Sequence, residues 1–512
     1  MTLPVQPCAN SAASPSGLTV ESQQRARVRT LWLCGVLHAF THLYNVALLP
    51  LYLLIQADLQ LASVDQATML VTVMMIAYFG PSYPMGLLAD RFSRKRILGI
   101  GLALNGLGFV GLAFCSSYAM ALACVVLAGL GGSFYHPAAT AMVARSFPTN
   151  TGKALGLVAV GASVGFFIGP IYTGWRAAVS GNWRTPILEL GLLGIAAAVI
   201  FLRYAQEDGA ARANREAGSF SIFRFGRLRR IREQPADLAS LSPHPSPLPK
   251  ERESGRSVWS NLTQLFAKRW HRFTLSPRER AGVRGNAMTN KEEGAWENNQ
   301  AAVAAPAEKM FPNTTLWLFF IGASLAFSLR DFTGWSMGSL GSLFMQKAHG
   351  FDLNVTGLAL SSIFLASIVS NPLFGGLSDR GRSRWLAFVL IVSAILVAVF
   401  PRVPKAAVIP ALALYGFFFL AGYPIIEAAL MESVHDSVRG RVFGAFITIG
   451  GTVGNLAHWA VGAWVKRFGA EASDPVAYYP LYTLLALLVV FSLAGLPCLR
   501  AIRKREIHPP SE

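Results

Sequence analysis

Twelve apolar runs, most near the roughly 20 residues a helix needs to cross a hydrocarbon core of about 30 Å, govern what this chain can fold into. They cover 31–55, 67–88, 97–115, 118–143, 154–179 and 186–204, then 315–345, 355–377, 385–400, 406–431, 442–465 and 478–499. A backbone surrounded by lipid must satisfy its own hydrogen bonds, so each run is expected to be a helix. Of the 512 residues, 53% are hydrophobic and only 14% charged, whereas soluble domains carry about 25% charged residues. That excludes an ordinary soluble enzyme. The fold class expected is an all-α membrane protein with twelve transmembrane helices in two pseudo-symmetric six-helix bundles.

The formal charge of +18 reads as membrane topology, with no nucleic-acid partner, because the cations do not decorate a polar fold. The turn after the second run holds Arg91, Arg94, Lys95 and Arg96, and the turn after the eighth holds Arg380, Arg382 and Arg384. Connections after the first, third and seventh runs hold at most one Lys or Arg. Cationic turns stay on the cytoplasmic side, which predicts cytoplasmic termini. Arg176, Arg184, Arg402 and Lys405 run against the pattern without reversing it.

The expected organisation is a cytoplasmic N-terminal tail at 1–30 with no signal peptide, a six-helix bundle at 31–204, a linker at 205–312, a second bundle at 313–500, and a cytoplasmic tail at 501–512. The linker is rich in Ser, Pro, Arg and Glu. It reads as a disordered basic insertion, with one short amphipathic helix expected near 258–270. Five cysteines form no CxxC pair and four lie in apolar runs, so neither a disulfide nor a metal site is expected.

The two halves repeat. Asp90 and Asp379 each follow a Gly-x-Leu-small string at an offset of 289, Pro137 and Pro424 are 287 apart, and Gly152 and Gly440 are 288 apart. One spacing shared by three landmarks marks a duplicated six-helix unit.

The strings GLLADRFSRKRIL at 86–98 and GGLSDRGRSR at 375–384 join consecutive spans within each half. They resemble the signature loop of the major facilitator superfamily, with Ser93 and Arg382 where that pattern usually has Gly. The resemblance covers nearly the whole chain and implies the major facilitator fold, with Gly86, Asp90, Arg91, Arg94, Gly375, Asp379 and Arg380 in a conformational gating loop. In the fifth span, Gly156, Gly165, Gly169, Pro170 and Gly174 resemble the helix motif of superfamily antiporters, with Thr173 in place of one Gly. HAFTHLYN at 38–45 and GGSFYHPAAT at 131–140 are similar to elements of fosmidomycin-resistance-type exporters. Members of that branch commonly follow the first-helix Asn with Asp, where this chain has Val46.

Ionisable groups inside a span cost on the order of 2.5–3.5 kcal/mol on insertion scales, so those retained usually face water or a partner. His38, His42 and Asn45 follow i, i+4, i+7 spacing on one helix face. With His136, Arg330, Asp331 and Glu427 they form the expected substrate and proton pathway, since spans one, four, seven and ten line the cavity in the superfamily. Adjacent positions on a helix diverge by about 100°, so Arg330 and Asp331 are not expected to pair simply with each other, and one of them should have a partner on another helix. Glu189 is expected to be structural.

No catalytic nucleophile–base pair, metal-ligand spacing, phosphate loop or cofactor motif occurs, so no enzyme, cofactor or metal is expected. The resemblance implies a monomeric, proton-coupled exporter of small organic compounds in a bacterial inner membrane, working by alternating access. Two alternatives are proton-coupled uptake of an organic anion, and a receptor or scaffold that retains the fold without transport.

Overall fold

Hydropathy marks where a helix leaves lipid and does not mark where the helix ends, and several helices outrun the apolar runs that predict them. The computed structural model describes residues 20–147, 151–206, 310–434 and 438–507. Linker residues 207–309, with the expected short helix, lie outside them. Among the described residues there are eighteen α-helices and no strand. In the first half these are α1 (Val20–Val46), α2 (Tyr52–Asp58), α3 (Val64–Phe79), α4 (Ser82–Arg91), α5 (Arg94–Ala113), α6 (Tyr118–Ser133), α7 (Tyr135–Ser146), α8 (Thr151–Ser180) and α9 (Arg184–Tyr204). In the second half they are α10 (Thr314–Lys347), α11 (Leu353–Leu365), α12 (Ser367–Ser378), α13 (Arg382–Val399), α14 (Val408–Met431), α15 (Arg439–Asn455), α16 (Ala457–Phe468), α17 (Tyr479–Phe491) and α18 (Gly495–Ile507). The helix of α1 thus begins inside the stretch read as a tail, through a polar turn carrying Arg25, Arg27 and Arg29.

Among the described residues, ten helical stretches are long and apolar enough to cross a membrane on their own. The second and eleventh expected spans fall short of that, for separate reasons. The second breaks at Gly80-Pro81, between α3 and α4, because proline offers no N–H to the preceding turn. The eleventh is diluted by Asn455, His458, Lys466 and Arg467.

The packing repeats along with the sequence. In the first half α1 packs on α8, α5 on α9, and α3 on α6; in the second, α10 packs on α15, α13 on α17, and α11 on α14. The halves meet where α8 packs on α11 and where α3 packs on α16. Small residues permit the closest of these approaches. A Cβ on Gly161 would lie 2.1 Å from the Gly35 carbonyl oxygen, and one on Gly165 would lie 2.0 Å from that of Ala39.

Polar contacts between the halves gather at the end distal to Arg94 and Arg382. Ser342 donates to the Leu49 carbonyl at 2.6 Å and Gln346 to that of Pro50 at 3.1 Å. Ser361 donates to the Phe167 carbonyl at 2.6 Å and accepts from the Ile171 N–H at 3.1 Å. Thr72 donates to the Asn455 carbonyl and accepts from the Trp459 N–H. Lys466 lies 3.6 Å from Asp65 at the rim. The molecule is therefore latched at its distal end.

Candidate functional site

Pro137 cannot donate to the Ser133 carbonyl, and the fourth span breaks there, α6 ending at Ser133 and α7 starting at Tyr135. His136 follows the break, and its ring centroid lies 5.3 Å from that of His38 and 5.5 Å from that of His42. His38 Nδ1 is 2.9 Å from the Val158 carbonyl. A carbonyl can only accept, so Nδ1 carries the proton and Nε2 keeps its lone pair. His42 Nε2 lies 3.0 Å from His38 Nε2 and serves as the donor, while His42 Nδ1 is buried without a partner. Tyr135 stacks on His38 and donates to the Cys34 carbonyl. Asn45 is buried on the same face of α1. Val46, where the related branch has an acid, is fully buried and points at Gly169 of α8.

The second half builds an ionic centre. Arg330 is buried, with Nη1 2.7 Å from Asp331 Oδ1. The expectation that these neighbours would not pair is corrected: their Cβ directions diverge, but the long arginine stem carries its planar head round to the carboxylate. The expected partner on another helix is present as well. Arg330 Nη2 donates to the Phe419 carbonyl at 3.0 Å, and the guanidinium carbon lies 3.7 Å from the Tyr423 ring centroid and 4.6 Å from that of Phe419. Gly422 makes room, since a Cβ there would sit 3.2 Å from Arg330 Nε. That Nε is buried without a partner. Glu427 is exposed one turn beyond Tyr423, on the same face of α14.

Phe166 packs the histidine centre against aromatic rings of the second half. Its ring lies 4.4 Å from His42, 6.3 Å from Trp335 and 4.7 Å from Phe364, on which it stacks within 9° of parallel. Glu189 is held by Arg176 at 2.7 Å and accepts from Tyr172, which is the structural role expected of it.

The proximal loops are less uniform than their sequences. Asp90 and Arg91 have side chains outside the described residues, and Arg94 is buried. Ser93 caps α5 by accepting from the Arg96 N–H. In the second copy Arg382 bridges Asp379 at 3.1 Å and Glu432, fastening the loop to the end of α14, and Arg380 is exposed. A Cβ on Gly86 would meet Pro137 at an ordinary 3.6 Å, so no close helix approach requires glycine there. One on Gly375 would meet nothing within 4 Å.

Along α8, Gly165 and Gly169 lie against α1, and Gly174 lies against the Leu353 carbonyl of the other half at 2.3 Å from a built Cβ. Pro170 is accommodated inside the helix. A Cβ on Gly156 would meet nothing within 4 Å, so no close helix contact requires glycine there.

One group escaped the sequence reading. Tyr52 reaches Ser339 at 2.8 Å, Ser339 reaches His458 Nδ1, and His458 Nε2 lies 3.1 Å from Asn455 Oδ1. These residues, with Ser361 and Thr72, form the distal latch. The available signal was His458 and Asn455 inside an otherwise apolar span outside the set expected to line the cavity.

Two six-helix halves, latched at one end around a histidine centre and an arginine–carboxylate centre, define a multi-pass membrane protein of the carrier type. The chain belongs to the Major Facilitator Superfamily, whose sequence profile matches residues 31–457 and again 316–512, and this membership sets it among transporters and apart from enzymes. It is 30% identical over 132 residues to the uncharacterized MFS-type transporter YfnC of Bacillus subtilis, covering 25% of this chain and 31% of that one. It is 29% identical over 160 residues to the quinolone resistance protein NorA of Staphylococcus aureus, covering 30% of this chain and 39% of that one. These alignments therefore span less than half the length of each relative. A bacterial homolog of the human lysosomal transporter Spinster, in an inward-facing and unoccupied conformation, superposes with a TM-score of 0.59 at 13% identity, covering 95% of this chain and 99% of that one. That likeness concerns the fold alone.

Proposed function

We propose that the protein is a monomeric secondary transporter of a bacterial inner membrane that exports small organic compounds, drugs among them, in exchange for protons. The observation that carries this reading is an imidazole cluster in one half and an arginine–carboxylate centre in the other, with the halves joined distally by the latch. Imidazoles and carboxylates can exchange protons, while Arg330, always cationic, stays fixed. Breaking the latch while the proximal end closes would present the same centres to the other side, which is alternating access.

With both termini cytoplasmic, the latched end faces outward. The HAFTHLYN and GGSFYHPAAT strings favour the fosmidomycin-resistance-type branch, and the NorA likeness favours efflux. Val46 has no ionisable group and packs at Gly169 of α8, so Glu427, Asp331 or a histidine carries the coupling proton. The 205–312 segment serves as a cytoplasmic linker between the bundles.

Proteoliposomes loaded with labelled candidate drugs test the reading. Substrate should accumulate against its gradient when a pH gradient is imposed and should exchange in counterflow. Glu427→Gln should keep counterflow and lose uphill movement; uphill movement at the native rate would remove Glu427 from coupling. The buried Arg330 with its unpartnered Nε supports a second reading, uptake of an organic anion with protons, which predicts the opposite dependence on the direction of the pH gradient.

A further inference from the structure

We infer that His38, His42 and His136 form a binding site for a first-row divalent transition-metal ion, of the zinc, cobalt, nickel or copper kind. No metal spacing marks these residues in the sequence, because His136 is contributed by a different span from the other two. In the fold, one nitrogen from each ring falls within 4.8 Å of the others.

The ring positions match three imidazoles around one ion. With metal–nitrogen bonds of about 2.0–2.1 Å, an ion sits roughly 3.2 Å from each ring centre, and tetrahedral placement separates the ring centres by about 5.2 Å. The observed centroid separations are 4.7, 5.3 and 5.5 Å. The rings are splayed, at interplanar angles of 53°, 86° and 59°, so none covers another's nitrogen by parallel stacking.

The proton arrangement also suits a ligand set. A metal-binding histidine ordinarily donates its other N–H to a carbonyl or carboxylate, which fixes the tautomer. His38 does this through Nδ1 to Val158, leaving Nε2 free to coordinate. His42 brings its own Nε2 to 3.0 Å from that atom, leaving Nδ1 buried and unpartnered. Moving the His42 proton from Nε2 to Nδ1 turns the nitrogen that donates to His38 into a second ligand without moving the ring far. His136 supplies the third ligand, and a fourth position remains for water or an anionic group.

Three neutral imidazoles with no carboxylate among them select borderline transition metals over magnesium or calcium, which prefer oxygen. All three residues belong to one half, so the ion would not cross-link the two halves.

The test uses the full chain in detergent, purified without a polyhistidine tag, stripped with chelator and titrated with Co2+ and Zn2+. One ion per chain is expected, with the visible absorption of a tetrahedral nitrogen-ligated Co2+ ion. X-ray absorption of the Zn2+ form should show three imidazoles at about 2.0–2.1 Å. His42→Gln and His136→Gln should each weaken binding by about 100-fold or more, beyond the 10–100-fold typical of losing a supporting residue. His349→Gln, in the loop after α10, should leave binding unchanged. Absence of stoichiometric binding, fewer than three imidazoles on the bound Zn2+, or full affinity in a folded His42→Gln protein would overturn the inference. If that variant does not fold, the imidazole count on the native chain decides. The site does not depend on the transport reading: a chain that transports without binding metal removes the site alone, and one that binds metal without transporting leaves it standing.

Discussion

The two halves place different chemistry at equivalent positions. Through the repeat of 287–289 residues, His42 corresponds to Arg330 and His136 to Tyr423. In the first half those positions carry imidazoles, packed with His38 in one cluster; His42 hydrogen-bonds His38, which in turn bonds the Val158 carbonyl. In the second they carry a buried guanidinium over an aromatic ring, neutralised by its own neighbour Asp331. The duplicated scaffold has kept its packing and diverged at its centre. One half now holds groups that can gain or lose a proton, and the other holds a permanent charge whose removal leaves a carboxylate stranded.

The sharpest way to break this comparison is Arg330→Gln. It should destabilise the protein by about 3–5 kcal/mol, since Asp331 would remain buried without its partner, and should abolish transport; chemical denaturation in detergent measures the first effect and liposome flux the second. The double replacement Arg330→Met with Asp331→Leu should recover most of the stability and none of the flux. A loss for Arg330→Gln no larger than that of His42→Gln would erase the distinction between the centres.

Next in size is Gly165→Ala, which drives a methyl group against the Ala39 carbonyl and should cost about 1–3 kcal/mol as overpacking, seen as a lowered midpoint of thermal unfolding. His42→Gln should cost about 1 kcal/mol, the worth of one neutral hydrogen bond, while changing the pH dependence of flux. Smallest of all, Gly156→Ala should fall within about 0.5 kcal/mol of the native chain, because nothing lies within reach of the added carbon. An equal loss at Gly156 and Gly165 would refute the packing asymmetry along α8.

Much of the scaffold is readable in the sequence, because lipid permits only one backbone solution and the repeat announces itself through Asp90 and Asp379. Helix continuity is less readable. Pro81 breaks the second span, yet Pro170 and Pro424 sit inside unbroken helices, so proline alone does not determine the outcome.

At the centre, the shared face of His38 and His42 follows from helical periodicity, but the meeting with His136 needs two helices brought together. The Arg330–Asp331 pair depends on side-chain torsions that no periodicity encodes. The latch left the faintest trace. Hydroxyls on Ser342, Ser361 and Thr72 bond to carbonyls that every residue possesses, so only the donor side is written in the sequence.

That construction has a bearing on how the molecule can be tuned. Four of the latch acceptors, on Leu49, Pro50, Phe167 and Asn455, are main-chain oxygens, which no substitution can delete and which do not ionise at physiological pH. Distal opening should therefore be largely indifferent to ionic strength, with Lys466 and Asp65 at the rim as its one charged contact among the described residues. Selection can weaken or strengthen it one hydroxyl at a time, in steps of about 1 kcal/mol. Such fine graduations suit a door that must neither swing freely nor jam.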